Sequence, residues 1–330
     1  MDTLELWGTL GPACADPDIL SQMLESGMSG LRINLSHCRL KDVPAWMEAV
    51  RKASHKTGKP CALLMDLQGP ELRLGEKGLP LAVEPGQVEE LPLPGELKAL
   101  PEGTRIELDD GKLHAERVKG GWRFLNGGVV LPHKSVFGKD LHLHLPVLTE
   151  ADRENIAGMQ EAGISCVMQP FVRSGEDVRK VRALLPEGTR LYAKIEDLEG
   201  VAHAEEIAEE ADVLVIARGD LGNAAGLVNL PRVQTELEER MKKAGRPYMV
   251  VTDFLAGMME HDQPTRAEVS DIFHAVLDGA SSLMLTGETA AGKYPVQAMN
   301  YFCAVARSGQ KMREERKQTV SNSAKICHYG

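Results

Sequence analysis

The sequence predicts an α/β fold, a (β/α)8 TIM barrel with a small β-rich insert after the third strand. Two observations carry the prediction. Eight short, branched apolar runs of the kind expected for buried parallel strands alternate with helical stretches, and most runs end in polar or charged residues. Between about Gly75 and Leu141 that rhythm gives way to glycine, proline and short alternating runs. The expected boundaries are residues 1–74 and 142–310 for the barrel, 75–141 for a lid-like insert, and 311–330 for a charged C-terminal tail.

Taken in order, residues 4–9 read as the first strand, closed by Gly11-Pro12. Asp16 followed by Pro17 is a helix start, a cap and then a first-turn proline, with the helix expected to reach Ser26. In the second strand, residues 30–36, Arg32, Asn34 and Ser36 alternate with Leu31, Ile33 and Leu35, so three polar groups share one face. That face is either the lining of a site or the solvated side of an antiparallel strand. A helix over 43–57 leads to a third strand, 61–66, ending in Asp66, and Gly69-Pro70 then turns the chain toward Glu71 and Arg73.

Within the insert, Asp110-Gly111 is a hairpin signal between β-like runs at 104–108 and 112–118. His142 and His144 alternate with leucines, and surface strand histidines are the default reading against a metal pair. Thr149-Glu-Ala-Asp152 is a capping box that restarts the strand–helix rhythm. Strands are then expected at 166–169, 190–195, 213–216, 248–251 and 282–285. Helices are expected at 175–184, 201–209, 231–244, 265–277 and 295–308, with the charged residues 310–317 extending the last.

Composition narrows the function classes. The 330 residues carry a formal charge of −10 with both signs interspersed, which argues against a nucleic-acid or anionic-membrane surface. Six scattered cysteines with no Cys-x-x-Cys pair predict neither a disulfide framework nor a zinc site. The N-terminus lacks the pattern of a signal peptide and no apolar run is long enough to span a membrane, so a soluble cytoplasmic protein is expected.

The chemistry concentrates in two strands. Lys194 and Glu196 are two apart and share a face, and Asp220 follows the next strand in what reads as a glycine-flanked turn. A structural ion pair is the bland reading of Lys-x-Glu alone. Drawn as a barrel, however, the chain brings Arg32, Asn34, Ser36, Asp66, Arg73, Arg173, Lys194, Glu196, Asp220, Thr252, Thr286 and Glu288 to one rim. Cations, carboxylates and hydroxyls converging there point to metal-assisted chemistry on a phosphorylated or carboxylated small molecule.

Seven motifs then resemble those of the pyruvate kinase family, in the family's order: Thr9-Leu-Gly-Pro-Ala13, Leu31-Arg-Ile-Asn-Leu-Ser-His37, Asp66-Leu-Gln-Gly-Pro-Glu-Leu-Arg73, Ala193-Lys-Ile-Glu196, Ala217-Arg-Gly-Asp-Leu-Gly222, Pro264-Thr-Arg-Ala-Glu268 and Leu285-Thr-Gly-Glu-Thr289. The resemblance implies transfer of the phosphoryl group of phosphoenolpyruvate to ADP, giving pyruvate and ATP through a metal-stabilised enolate. It implies Glu196 and Asp220 as ligands of a divalent cation, Mg2+ or Mn2+. Lys194 and Arg32 would neutralise the phosphoryl group in flight. Asn34, Ser36, Asp66 and the backbone oxygen of Leu67 would ligate a monovalent cation, K+. Ala217, Arg218, Gly219, Asp220 and Thr252 would form the substrate side, and Asn34, His37, Arg73 and Asp110 the nucleotide side. Thr252, with Thr286 and Glu288 behind it, would protonate the enolate.

The departures from the family pattern are also specific. The barrel is followed by about twenty residues, which implies a form lacking the C-terminal regulatory domain, and the insert is shorter than usual. Leu67 and Gln68 stand where the family has threonine and lysine, while Glu71 is the residue associated with potassium dependence, so the motifs leave that requirement mixed. A homodimer through the barrel is the expected assembly. Two other readings stay open at this point: a metal-dependent lyase or decarboxylase of a 2-oxo acid, and a regulatory or binding homologue with little catalysis.

Overall fold

The computed structural model describes residues 4–36, 38–70, 72–98, 100–109, 111–138 and 146–326. The chain divides into two compact units, Met1–Gln68 with Leu148–Gly330, and Gly69–Val147. The first is a closed barrel of eight parallel strands: β1 Glu5–Thr9, β2 Gly30–Asn34, β3 Ala62–Asp66, β4 Cys166–Gln169, β5 Arg190–Ile195, β6 Val213–Ala217, β7 Tyr248–Val251 and β8 Ser282–Met284. Each strand pairs with its neighbours in chain order, and β8 closes on β1.

Alternation decides what lies inside. Trp7, Leu64, Cys166, Met168, Tyr192, Val213, Val215, Ala217, Met249, Val251 and Met284 form one buried cluster, drawn from alternate positions of seven strands. Trp7 and Tyr192 meet edge to face at 6.0 Å. Gly30 makes room for that indole, since a Cβ there would lie 2.4 Å from a ring carbon of Trp7. Because β2 is parallel to both neighbours, the solvated-antiparallel reading of its polar face does not hold, and Arg32 lies on the face shared with Gly30. Register then sets the rim: Asn34 is opposite Asp66, Asp66 opposite Met168, and Val251 opposite both Ala217 and Met284.

The helices begin where the caps predict. Asp16 accepts from the amides of Asp18 and Ile19 at the start of helix Pro17–Ser26, and Gly27 ends it in a left-handed conformation. Thr149 and Thr265 form capping boxes with Asp152 and Glu268. Three details differ from the sequence expectation. The stretch 201–209 is two helices, Leu198–Ala202 and Ala204–Glu210, because Asp197 caps the first early and His203 leaves it to bond the Arg173 carbonyl at 2.8 Å. Asp220 lies not in a turn but in the first turn of helix Arg218–Ala225, which buries Leu221, Gly222 and Ala224. The last helix, Pro295–Ile326, takes in the charged residues 310–317 as expected but then runs on to residue 326. None of the helices among the described residues is long and apolar enough to cross a membrane.

Glu238 is buried on helix Leu230–Ala244. Burial, opposed by the Gln234 amide that donates to it at 2.9 Å, raises its carboxyl above the ordinary value. The folded state therefore binds this proton more tightly than the unfolded state, and stability falls as pH rises through that window. Glu238→Gln is expected to raise the thermal midpoint at about pH 8 and to lose the gain near about pH 4, which thermal melts at the two pH values check.

The second unit has its own core. Five short strands, in the order Val136–Phe137, Arg105–Leu108, Leu113–Val118, Gly121–Phe124 and Val88–Glu89, form an antiparallel sheet, and Leu81–Val83 pairs with Gly128–Val130. Ile106, Leu108, Leu113, Trp122, Phe124 and Val130 pack beneath them. The strands flanking Asp110-Gly111 pair as the hairpin signal predicts, while Asp110 itself, with His37, Glu71, His142 and His144, lies outside the described residues.

Candidate active site

At the C-terminal rim of the barrel, four charged side chains on β2, β3 and β5 or just past its end make one largely buried network. Asp66, at the end of β3 and 1% exposed, accepts from Arg32 Nε at 2.8 Å and Nη2 at 2.6 Å, both on one oxygen, Oδ2. Lys194 Nζ stands 3.6 Å from the same oxygen and 2.8 Å from Glu196 Oε1. The other Glu196 oxygen accepts the amide of Phe171 at 2.7 Å, and that residue sits at φ +50 just beyond β4. Among the described residues Asp66 Oδ1, which is buried, has no hydrogen-bond partner, an unusual state for a carboxylate oxygen.

Electrostatics hold Lys194 charged. Burial alone would lower the Lys194 pKa, but Asp66 and Glu196, with Asp220 adding to them, outweigh it and the repulsion from Arg32, so the ammonium lies above its ordinary range. Asp66→Asn would leave Arg32 facing a neutral amide and take one of two carboxylates from Lys194, with both cations at most 14% exposed. Breaking a buried pair this way is expected to cost about 3 kcal/mol, measured as a shift in the urea midpoint at constant slope.

A second group of residues lines the same rim. Helix Arg218–Ala225 starts where β6 ends, so the first-turn amides of Gly219 and Asp220 face outward from the strand end. Gly219 approaches the next strand closely: a Cβ on it would lie 3.4 Å from Thr252 Cγ2. Thr252 and Asp253, directly after β7, both have left-handed backbones, φ 82 and φ 57. For non-glycine residues that conformation costs about 1–3 kcal/mol each, and β-branching makes threonine the worse case. Glu288, 2% exposed, then joins two loops, accepting from Leu255 N at 3.1 Å with one oxygen and from Thr286 N and Oγ1 at 2.7 and 3.2 Å with the other.

Of the sequence-predicted residues, the barrel unit thus brings Arg32, Asp66, Lys194 and Glu196 into contact, Gly219 to Thr252, and Thr286 to Glu288. Asn34 ends β2 and Ser36 lies two residues on, with Asn34 Oδ1 accepting the Ser36 amide at 3.2 Å, and Leu67 is tied by its amide to the Met168 carbonyl at 3.0 Å. Arg173, just before helix Gly175–Arg182, pairs with Asp177 of that helix at 3.4 Å. Arg73 belongs to the other unit, where it donates to the His133 carbonyl at 2.8 Å and bridges Ser135. Burial pushes the Cys14 and Cys303 thiols up to about 11, so neither is a nucleophile.

Comparison with known proteins bears on the same rim. Residues 2–88 and 87–299 match the family described as pyruvate kinase, barrel domain. The chain belongs to the pyruvate kinase family. It is 36% identical over 326 residues to a pyruvate kinase of Aeropyrum pernix, covering 93% of this chain and 71% of that one. To pyruvate kinases of Geobacillus stearothermophilus and Methylorubrum extorquens it is 35% and 34% identical, covering 57% and 68% of their lengths. The protein is a pyruvate kinase-like phosphotransferase, and the matched residues span the barrel strands that carry the network.

Three contributors to this pyruvate kinase rim escaped sequence reasoning. Phe171 acts through a backbone amide turned by a positive φ, and the preceding Pro170 gives no hint of it. Asp271 and Phe254 surround Arg218, at positions 53 and 36 residues away in the chain. Only the folded barrel puts them together.

Proposed function

We propose that this rim transfers the phosphoryl group of phosphoenolpyruvate to ADP, giving pyruvate and ATP. The observation that carries the reading is the buried Arg32–Asp66–Lys194–Glu196 network at the strand ends, two cations beside two carboxylates with a third carboxylate, Asp220, on the adjoining helix. Such a site suits a polyanionic substrate whose charge shifts during reaction.

The donor set fits hard cations. Among the described residues no three of His, Cys, Asp and Glu cluster as a closed metal site. Glu196 and Asp220 would hold a divalent cation, Mg2+ or Mn2+, by two carboxylates, leaving the remaining positions to substrate oxygens and water, as magnesium prefers. The unpartnered Asp66 Oδ1, with Asn34, Ser36 and the Leu67 carbonyl, would suit a monovalent cation such as K+. The divalent ion supplies positive charge that balances the carboxylate and phosphoryl oxygens.

The chain's own groups then divide the work. The amides of Ala217 and Gly219 and the Thr252 side chain orient the substrate carboxylate at the helix N-terminus, with Asp220 beside them. As a terminal oxygen of ADP bonds to phosphorus and the bond to the enol oxygen breaks, Lys194 and Arg32 stabilise the charge on the departing oxygens. The Thr252 hydroxyl next gives a proton to the methylene carbon, the oxygen pair re-forms the carbonyl, and Glu288 holds Thr286 behind that turn. Asn34, His37, Arg73 and Asp110 are assigned to the nucleotide side, and the residues from 75 to 141 to a lid.

The test is a calorimetric titration of ADP into protein with Mg2+ and oxalate. Saturable ADP binding is expected. Tight oxalate binding with no ADP binding would replace the kinase reading by a metal-dependent lyase. Leu227 and Val228, 79% and 94% exposed directly after helix Arg218–Ala225, support a homodimer through the barrel, for which sedimentation should return twice the chain mass. The free cysteines Cys14, Cys38, Cys61, Cys166 and Cys303 support a cytoplasmic setting.

A further inference from the structure

Arg218 carries a role that its place in a substrate-binding motif does not describe. Its guanidinium is nearly buried, at 10% exposure, and each of its three nitrogens is engaged. Nε donates to the Thr252 carbonyl at 3.0 Å and Nη2 donates to the same oxygen. Nη1 lies between both oxygens of Asp271, at 3.0 and 2.8 Å. The planar group also stacks over the Phe254 ring at 4.3 Å. The carbonyl so gripped belongs to the residue at φ 82, the first of two consecutive left-handed non-glycine residues.

A strained conformation persists only where its surroundings over-determine it. Here a charged, two-point donor holds the Thr252 carbonyl, an anion fixes the donor, and an aromatic face fixes its plane. The same arginine is the first residue of the helix that presents Gly219 and Asp220. One side chain thus ties the loop after β7 to the helix after β6, and sets Thr252 against the backbone of Gly219.

We propose that Arg218 is a positioning residue for proton transfer, holding the Thr252 hydroxyl in reach of the substrate's methylene carbon through the Arg218–Asp271–Phe254 clamp, rather than touching substrate itself. The inference rests on the proton-donor role given to Thr252 above. The step it supports is balanced: the hydroxyl proton bonds to the methylene carbon using the carbon–carbon π pair, an oxygen lone pair re-forms the carbonyl, and solvent returns a proton to Thr252. Relaxing the turn should slow this step more than it weakens substrate binding.

The experiment compares wild-type protein with Arg218→Lys, Arg218→Met and Asp271→Asn. Two readouts are used: exchange of pyruvate methyl hydrogens for deuterium in D2O with Mg2+, and the kcat and KM for phosphoenolpyruvate. Lysine keeps the charge but loses the planar fork, so Arg218→Lys is expected to resemble Arg218→Met, with exchange slowed about tenfold or more and KM changed by less than about threefold. Asp271→Asn should give a smaller loss in the same direction, and it decides the matter if an Arg218 variant does not fold. Full exchange in the lysine variant, or a loss confined to KM, would overturn the positioning role. Wild-type protein that exchanges no methyl hydrogens would instead contradict the proposed function itself.

Discussion

Lys194→Met should lower pyruvate formation from phosphoenolpyruvate and ADP by roughly three orders of magnitude or more. The reason is its position: the ammonium is fixed 2.8 Å from Glu196 and 3.6 Å from Asp66, at the end of a barrel strand. Its charge acts on the departing phosphoryl oxygens, so the loss should fall mainly on kcat. Proton exchange at the pyruvate methyl group should survive in part, because that step draws on Thr252 and the loop braced by Glu288. Measuring both rates on one preparation separates the roles. Equal loss of transfer and exchange would contradict the assignment of Lys194 to phosphoryl transfer.

Glu196→Gln should act on the metal. The wild-type carboxylate is oriented by Lys194 on one oxygen and by the Phe171 amide on the other, and each oxygen retains a lone pair for a cation. An amide keeps the shape but removes the charge, and its nitrogen would oppose either Lys194 or the Phe171 N–H. The Mg2+ or Mn2+ concentration giving half-maximal activity is expected to rise by at least about tenfold. An unchanged metal dependence would remove Glu196 from the cation site. The variant should also melt lower, since Lys194 would lose its nearest carboxylate, at 2.8 Å, and keep Asp66 at 3.6 Å.

Much of this rim was legible because it is built on strands. A period of two tells which residues share a face, so Arg32 with Asn34, and Lys194 with Glu196, could be paired before any coordinates. Branched apolar runs likewise marked all eight strands of the barrel, and Asp16-Pro17 and Thr149 marked helix starts with local hydrogen bonds that the structure contains. Legibility failed where the cause was not local. Glycines at 219 and 222 read as a turn, yet the buried face of Leu221 and Ala224 makes a helix of that segment. The backbone at Thr252 violates threonine's own preference and is held by a guanidinium from the helix after β6, so no propensity could have foreseen it. Whether Lys-x-Glu was a structural pair or part of a site depended on Asp66, more than a hundred residues away in the chain.

The measurement that tests the central claim most directly is steady-state formation of pyruvate from phosphoenolpyruvate and ADP with Mg2+, run with and without K+. Turnover that needs both ADP and the divalent cation is the predicted result, with stimulation by K+ if the open oxygen of Asp66 serves a monovalent cation. Folded protein that binds Mg2+ and oxalate yet forms no pyruvate from phosphoenolpyruvate and ADP would contradict it.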